Sequence, residues 1–371
     1  MKDFRGVIFA YSACPDLREL SAVRTAASLP FCGRYRLIDF SLSSLRNAGV
    51  LDVGVIMQRD YQSLLDHIGS GKAWDMSRRS GGLRMLPPFG LSEYHTGNYT
   101  GTIEALNAVA SYIRGITEKY VILMLGNLCA NIDLRAPMEQ HRASGAEVTA
   151  ICSDRDPDGS YLRYVLGADG FAKQLLFETR SQPAGGLASL ECYIINRDTL
   201  LKMMERCSAA NQFSFHKHGV FPFLSEGGRM GVYVHREYSA IIRTVDSYYK
   251  ASMDMLQGGN RRELFPAARP VRTKNREEVS TYYGEHASAR NCLVADNCII
   301  EGELENSIVF SGVRIGQGAK LKNCIIFSKC VLGQWTQLEC VIADKYSAFS
   351  PGAVLVGNEK LPIVVPKNSS I

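Results

Sequence analysis

Apolar β-branched runs alternate with helical patterns over residues 1–258. Val7-Ile8-Phe9-Ala10, Val53-Gly54-Val55-Ile56-Met57, Tyr120 to Leu125 and Val148 to Cys152 read as buried strands. Helical stretches fall between them, from Tyr61 to Ile68 and from Thr102 to Ile113. Strand and helix in alternation predict an α/β domain with a mostly parallel sheet covered on both faces. In such a sheet ligands sit beyond the carboxyl ends of the strands. The loop after Val7–Ala10 is therefore the place to look for a site.

The pattern changes twice more. Gly258-Gly259-Asn260-Arg261-Arg262-Glu263, with Pro266 and Pro270 beyond, reads as a linker over residues 259–285. From residue 286 to 371 short aliphatic triplets recur: Asn291-Cys292-Leu293-Val294, Asn297-Cys298-Ile299-Ile300, Asn306-Ser307-Ile308-Val309 and Asn323-Cys324-Ile325-Ile326. Gly312, Gly316 and Gly333 fall at corners between them. Hexapeptide spacing of this kind predicts a left-handed parallel β-helix, each coil turning three corners around stacked aliphatic side chains. An ordinary antiparallel domain is the competing reading.

Composition narrows the classes. The chain has 371 residues, 46% of them hydrophobic and 21% charged, enough to bury the cores of two domains. Its net charge of +5 is spread without a Lys/Arg block, which suits anionic ligands better than nucleic acid. Eleven cysteines lack CxxC pairs or zinc spacing, and are expected to be reduced core thiols. The apolar run after Phe4-Arg5 is too short for a signal-peptide core, and no run approaches a membrane span. A soluble, cytoplasmic protein is expected.

The loop itself is unusual. Tyr11-Ser12-Ala13-Cys14-Pro15-Asp16-Leu17 follows the first strand where nucleotide-binding folds cradle phosphate on backbone N–H groups. Such a loop needs glycine, because side chains hold phosphate away from the backbone. Here Pro15 offers no N–H, and Asp16 would repel a triphosphate. His67, His95, His216, His218 and His235 lack metal spacing, and His216 and His218 are expected on a solvated loop. Arg36 and Asp39 either pair structurally or meet ligand. Gly101-Thr102 is either a plain helix start capped by Thr102 or a nucleotide contact.

Further segments point to a family. Pro30-Phe31, Gly33 and Tyr35-Arg36-Leu37-Ile38-Asp39-Phe40 resemble "PFGGKYRIIDF" of ADP-glucose pyrophosphorylase (glucose-1-phosphate adenylyltransferase). The strand from Val53 to Gln58 resembles the one that ends in a glutamine near the base. His67-Ile68-Gly69-Ser70-Gly71 with Trp74-Asp75 resembles "HIGxGxxWD", and Gly81-Gly82 and Leu86-Pro87-Pro88 resemble the stretch that follows. Gly101-Thr102 resembles the "GT" that opens a helix at the nucleotide. Ala188-Ser189-Leu190 with Tyr193 to Asn196 resembles "ASMGIYIFN". Thr244 and Met253-Asp254 resemble the close of the catalytic domain. The likeness spans nearly the whole chain. It implies a Rossmann-like nucleotidyltransferase domain followed by the β-helix.

The departures from the family fall on its chemistry. Its "AGGxGxRL" loop has lost three glycines, and Asp16 stands near the position of the triphosphate-facing arginine. The phosphate-binding lysine of "RAKPAVPF" is Ala26. The magnesium carboxylate of "SGDH" is Asn127. The second, in "YWKDVGT", falls at Ile241 in Tyr238-Ser239-Ala240-Ile241-Ile242-Arg243-Thr244. The lysine of "EEKP" has Arg180 nearest it, and the lysine of "DFGKD" persists as Lys217, followed by His218. Neighbouring acids Asp39, Glu104 and Glu178 do not follow a strand end as Asn127 does. Adenylyl transfer builds charge on phosphoryl oxygens that magnesium and basic side chains must stabilise.

The resemblance therefore implies a non-catalytic or nearly inactive regulatory subunit of glucose-1-phosphate adenylyltransferase in glycogen synthesis. Asp16, Ala26, Asn127 and Ile241 would be degenerate counterparts of the catalytic set. Gln58, Gly101, Thr102, Arg180 and Lys217 would be residual ligand contacts. No metal and no cofactor are expected on this chain, since Mg2+ would serve only a catalytic partner. Expected partners are that catalytic subunit, or further copies of the chain in a homo-oligomer, and a nucleotide, sugar-phosphate or other anionic effector. The alternatives are an active sugar-phosphate nucleotidyltransferase with a reorganised site and a stand-alone nucleotide-sugar sensor. An acyltransferase, suggested by the β-helix alone, lacks the expected histidine, because His286 precedes the first coil.

Overall fold

Phe4–Phe9 is buried on both faces, which is why its apolar run does not alternate: Val7 and Phe9 pack on one side of the sheet, Phe4 and Ile8 on the other. The computed structural model describes residues 3–11, 14–79, 81–87, 99, 101–157, 160–177, 185–275 and 277–371. Tyr120–Leu125 and Val53–Ile56 flank the first strand in parallel register, and Leu83–Leu86 lies parallel beyond Val53–Ile56.

The other half of the sheet departs from the mostly parallel expectation. Leu187–Asn196 runs antiparallel to Tyr120–Leu125, Val148–Ser153 and Leu162–Leu166, and Ala172–Phe177 runs antiparallel to Leu162–Leu166. Met230–His235 is parallel to Val148–Ser153. The nine-stranded sheet is therefore mixed. A strand buried on both faces reads the same in either direction, so periodicity does not report polarity.

Two helical readings also change. The helix expected from Thr102 to Ile113 is two helices, Thr102–Ala108 and Ala110–Arg114, broken at Val109. Gly258–Leu264, read as linker, forms a helix. Leu264 is fully buried and Phe265 packs on Tyr35 with ring centroids 5.0 Å apart, so tertiary packing overrides the low helix propensity of two glycines.

The C-terminal region is a left-handed parallel β-helix built as three five-stranded parallel sheets. It opens with Tyr282–Tyr283, ahead of residue 286. Leu304, Leu321 and Leu338 stack in register and are buried inside it. Asn291, Asn297, Asn306 and Asn323 turn its corners with φ of 51°, 62°, 45° and 54°. Asparagine tolerates this left-handed region because its short side chain can bond locally.

One apolar cluster joins the two domains. It contains Cys14, Leu17, Ala26, Phe31 and Phe40 of the first domain, Tyr248 and Tyr249 of the helix Val245–Asp254, and Ile308, Phe310, Ile325, Phe327 and Ile342 of the β-helix. The Tyr248 hydroxyl donates to the Pro30 carbonyl at 2.6 Å, and that of Tyr249 to the Asn323 carbonyl at 2.7 Å. The Arg24 guanidinium donates to both oxygens of Asp344 at 2.9 and 2.8 Å, with both side chains buried.

Removing one partner of a buried pair strands a charge. Arg24→Ala or Asp344→Ala should each lower unfolding free energy by about 3–5 kcal/mol. The double replacement Arg24→Met with Asp344→Leu should cost far less. Urea denaturation of the three variants measures this.

Candidate functional site

The carboxyl ends of Phe4–Phe9, Val53–Ile56 and Tyr120–Leu125 converge on the loop that begins at Tyr11. Tyr11 turns inward. Its ring meets Tyr99 edge-on at 5.0 Å and Phe9 at 5.9 Å, within the same apolar cluster. Burial drives its phenol pKa far above the ordinary value, with Thr102 opposing the shift. After Cys14 the chain makes a short 3-10 turn over Pro15–Ser21, which exposes Asp16 and buries Leu17 and Leu20 completely. Of the described residues here, Tyr11, Cys14, Leu17 and Leu20 are packed as core.

The counterparts of the catalytic residues are similarly absorbed. Ala26 is buried in the cluster shared by the two domains. Asn127 follows Tyr120–Leu125 through Gly126, where an added Cβ would lie 2.8 Å from Ala27 Cβ. The Asn127 side-chain NH2 donates to the Ile242 carbonyl at 2.8 Å, and the Asn127 backbone carbonyl accepts from the Ile242 N–H at 3.0 Å. Ile241, on Ser239–Ile241, pairs antiparallel with Leu128 and is fully buried among Leu128, Ile151, Leu190 and Cys192. Magnesium does not fit these residues. Position 127 has one neutral amide oxygen in place of a carboxylate, on a side chain whose NH2 is tied to Ile242, and the side chain at 241 has no oxygen at all. Among the described residues no group of three or more His, Cys, Asp or Glu is placed to hold a metal ion.

Of the residual contacts, Gln58 lies just past the carboxyl end of Val53–Ile56. Gly101, not Thr102, stands at the N-cap of Thr102–Ala108, and Thr102 is the first helical residue. That helix start is already engaged: the Ile103 N–H donates to the Phe213 carbonyl at 2.9 Å, and a Cβ on residue 101 would collide with that oxygen. Lys217 places its ammonium 5.7 Å from the Phe177 ring centroid. Arg180 and Glu178 lie outside the described residues. Asp39 is buried, accepting from the Arg36 N–H at 3.0 Å and meeting His67 Nε2 at 2.6 Å, while the Arg36 guanidinium donates to Ser63 Oγ at 2.8 Å. These two residues therefore have structural partners.

Sequence reasoning missed a charged cluster in this cleft. Glu191 sits at a bulge in Leu187–Asn196, where the register against Val148–Ser153 shifts between Ser189 and Cys192. Its φ is +50°, a left-handed conformation that costs a non-glycine residue roughly 1–2 kcal/mol. Ser189 Oγ accepts the Glu191 N–H at 3.0 Å and holds the bulge. The Glu191 carboxylate pairs with the Arg243 guanidinium, which also lies 4.7 Å from the Tyr161 ring centroid. His216 Nε2 lies 3.9 Å from the same carboxylate. The expectation of a solvated loop at His216 fails: it is buried in the π-helical turn Phe215–Val220, against Tyr193 and Phe215. A signal was present, because "ASMGIYIFN" and "YWKDVGT" have glycine where this chain has Glu191 and Arg243.

Two outcomes follow from this packing. Ile241→Asp should lower stability by about 3–5 kcal/mol, because it buries an unpaired carboxylate in an apolar cluster. Urea unfolding checks it, and a neutral or stabilising effect would contradict the placement. The second concerns pH. His141, His216 and His235 have pKa values pushed below the ordinary 6.5, first of all by burial. The unfolded chain therefore binds more protons below that value, so the stability they contribute is full above it and lost as pH falls through it. The urea midpoint should fall from about pH 7.5 to about pH 5.5, less steeply in His216→Gln.

Comparison with known proteins agrees with this architecture. A nucleotidyl transferase family model matches residues 6–258, and a model of the GlmU-like, C-terminal hexapeptide matches residues 276–361. The glycogen biosynthesis protein GlgD of Bacillus subtilis (strain 168) is 31% identical over 362 residues, covering 98% of this chain and 95% of its own length. A glucose-1-phosphate adenylyltransferase of Geobacillus stearothermophilus is 34% identical over 309 residues, covering 82% and 79%. That of Bacillus cytotoxicus is 29% identical over 342 residues, covering 91% and 90%. With its cleft at the carboxyl ends of the central strands and a hexapeptide β-helix behind it, the chain belongs to the nucleotidyl transferase family, in its glucose-1-phosphate adenylyltransferase branch.

Proposed function

We propose that this chain is a non-catalytic, or nearly silent, regulatory subunit of glucose-1-phosphate adenylyltransferase in glycogen synthesis. The observation that carries this reading is the fate of positions 127 and 241. Asn127 spends its amide on the Ile242 carbonyl, and Ile241 packs in the core. Adenylyl transfer from ATP to glucose 1-phosphate needs charge stabilisation at the α-phosphorus and on the departing pyrophosphate. Losing one such electrostatic contact typically costs about 10²- to 10³-fold in rate. This chain lacks two metal carboxylates and a lysine together, and Tyr11 and Leu17 on either side of its loop are packed as core.

The names of two relatives support the setting: one is a glycogen biosynthesis protein, the other a glucose-1-phosphate adenylyltransferase. The chain would act in the cytoplasm by assembling with a catalytic relative and favouring one of its states, which is what coupling requires. Mg2+ would then be bound by that partner. The joint core between cleft loop and β-helix gives the coupling a route, since Cys14, Leu17 and Phe327 belong to one cluster. An anionic effector suits the chain's positive balance.

Pyrophosphate release from ATP and glucose 1-phosphate with Mg2+ tests the proposal. The chain alone should turn over at least about 10³-fold more slowly than the catalytic subunit of the same cell. Mixing the two should change the rate or effector response of the catalytic subunit. Comparable turnover by the chain alone, or a mixture that behaves as the sum of its parts, would overturn it.

A further inference from the structure

Arg243 directly follows Ile242, whose N–H and carbonyl both bond Asn127 at the end of the central strand Tyr120–Leu125. That places residue 243 beside the carboxyl end of the central strand. Cys14, in the loop after the first strand, is among the groups that act electrostatically on it and on Tyr161. Glu191 reaches the same point from Leu187–Asn196, whose Tyr193 pairs with Leu123 two residues before that strand ends, and its charge is felt at Tyr11. The carboxylate is almost wholly buried and Arg243 is only 24% exposed, so the pair is largely shielded from solvent. The Glu191 backbone adopts a conformation that glycine takes freely and glutamate does not. Two side chains, one acidic and one basic, thus meet at the carboxyl end of the central strands, the acidic one held in a left-handed backbone conformation.

We propose that the Glu191–Arg243 pair is a built-in plug of the cleft: the Glu191 carboxylate occupies the guanidinium that an anionic ligand would otherwise use, and closes this half of the cleft to sugar phosphates. Tyr161 stacked on Arg243 and His216 beside Glu191 hold the plug from either side. A ligand phosphate must displace a buried, charge-matched carboxylate before it reaches Arg243. The choice of sugar phosphate as the excluded ligand rests on the function proposed above. The plug is a separate cause of silence from the lost metal carboxylates, because it acts on binding and not on the chemical step.

Isothermal titration of the full chain with inorganic phosphate and with glucose 1-phosphate tests this. The wild-type chain should take up neither saturably. Glu191→Gly removes the competing carboxylate and relieves the left-handed glutamate, so it should bind both probes, at least about tenfold more tightly than the wild-type limit. The double variant E191G/R243G removes both charges of the pair together and so guards against a failure to fold; it should bind glucose 1-phosphate but lose the gain for inorganic phosphate. Wild-type binding of glucose 1-phosphate within threefold of folded Glu191→Gly would overturn the plug, as would silence of both variants with native circular dichroism. Binding without turnover by the wild-type chain would sink the plug alone, whereas turnover would sink the regulatory reading, so the two failures are distinguishable.

Discussion

The structure depends most on the buried ion pair between Arg24 and Asp344 and the apolar cluster around it. This pair fixes the orientation of the β-helix against the nucleotidyl transferase domain, because a bidentate guanidinium–carboxylate contact tolerates little rotation. It is embedded where Phe31, Phe40, Tyr248, Phe310 and Phe327 interlock. Close-packed interiors transmit displacement instead of absorbing it. Cys14, Leu17 and Leu20, which follow the first strand, belong to this cluster, so the carboxyl end of the sheet and the solenoid share one packed core.

Around that frame, positions that serve chemistry in the family have become packing positions. Tyr11 fills the loop, Ala26 joins the interdomain core, Asn127 ties two backbone segments and Ile241 seals a short ribbon. These changes are mutually consistent, since each supplies the burial or the hydrogen bond that its new surroundings demand. At this end of the sheet the strained and charged residues are instead Glu191 and Arg243.

Much of the architecture was legible before any coordinates. The central strands announced themselves as unbroken apolar runs, and the β-helix as aliphatic triplets with Asn or Gly corners. What escaped had physical reasons. Leu187–Asn196 is buried along nearly all its length, so nothing in its pattern revealed that it runs antiparallel. Gly258–Leu264 looked like a linker because its helix is held by Leu264 and Phe265 and not by propensity. His216 looked solvated beside Lys217 and His218, yet the π-helical turn rotates it inward. Glu191 and Arg243 are 52 residues apart, beyond the reach of any local pattern. Their glycine counterparts in the family strings were the one clue, and only the fold shows that the two replacements meet.

The hydrogen bond from Ile103 N–H to the Phe213 carbonyl closes the start of the short helix Thr102–Ala108. It occupies the helix end that a nucleotide phosphate would approach. Restoring a carboxylate at position 241 would bury a bare charge, and restoring one at 127 would break a backbone tie, before either gained a metal to hold. Each carboxylate restored singly is therefore unfavourable in stability before it gains anything from a metal. Positions 127 and 241 are in this way tied to their surroundings: a metal site here requires the core around them to change together with the carboxylates.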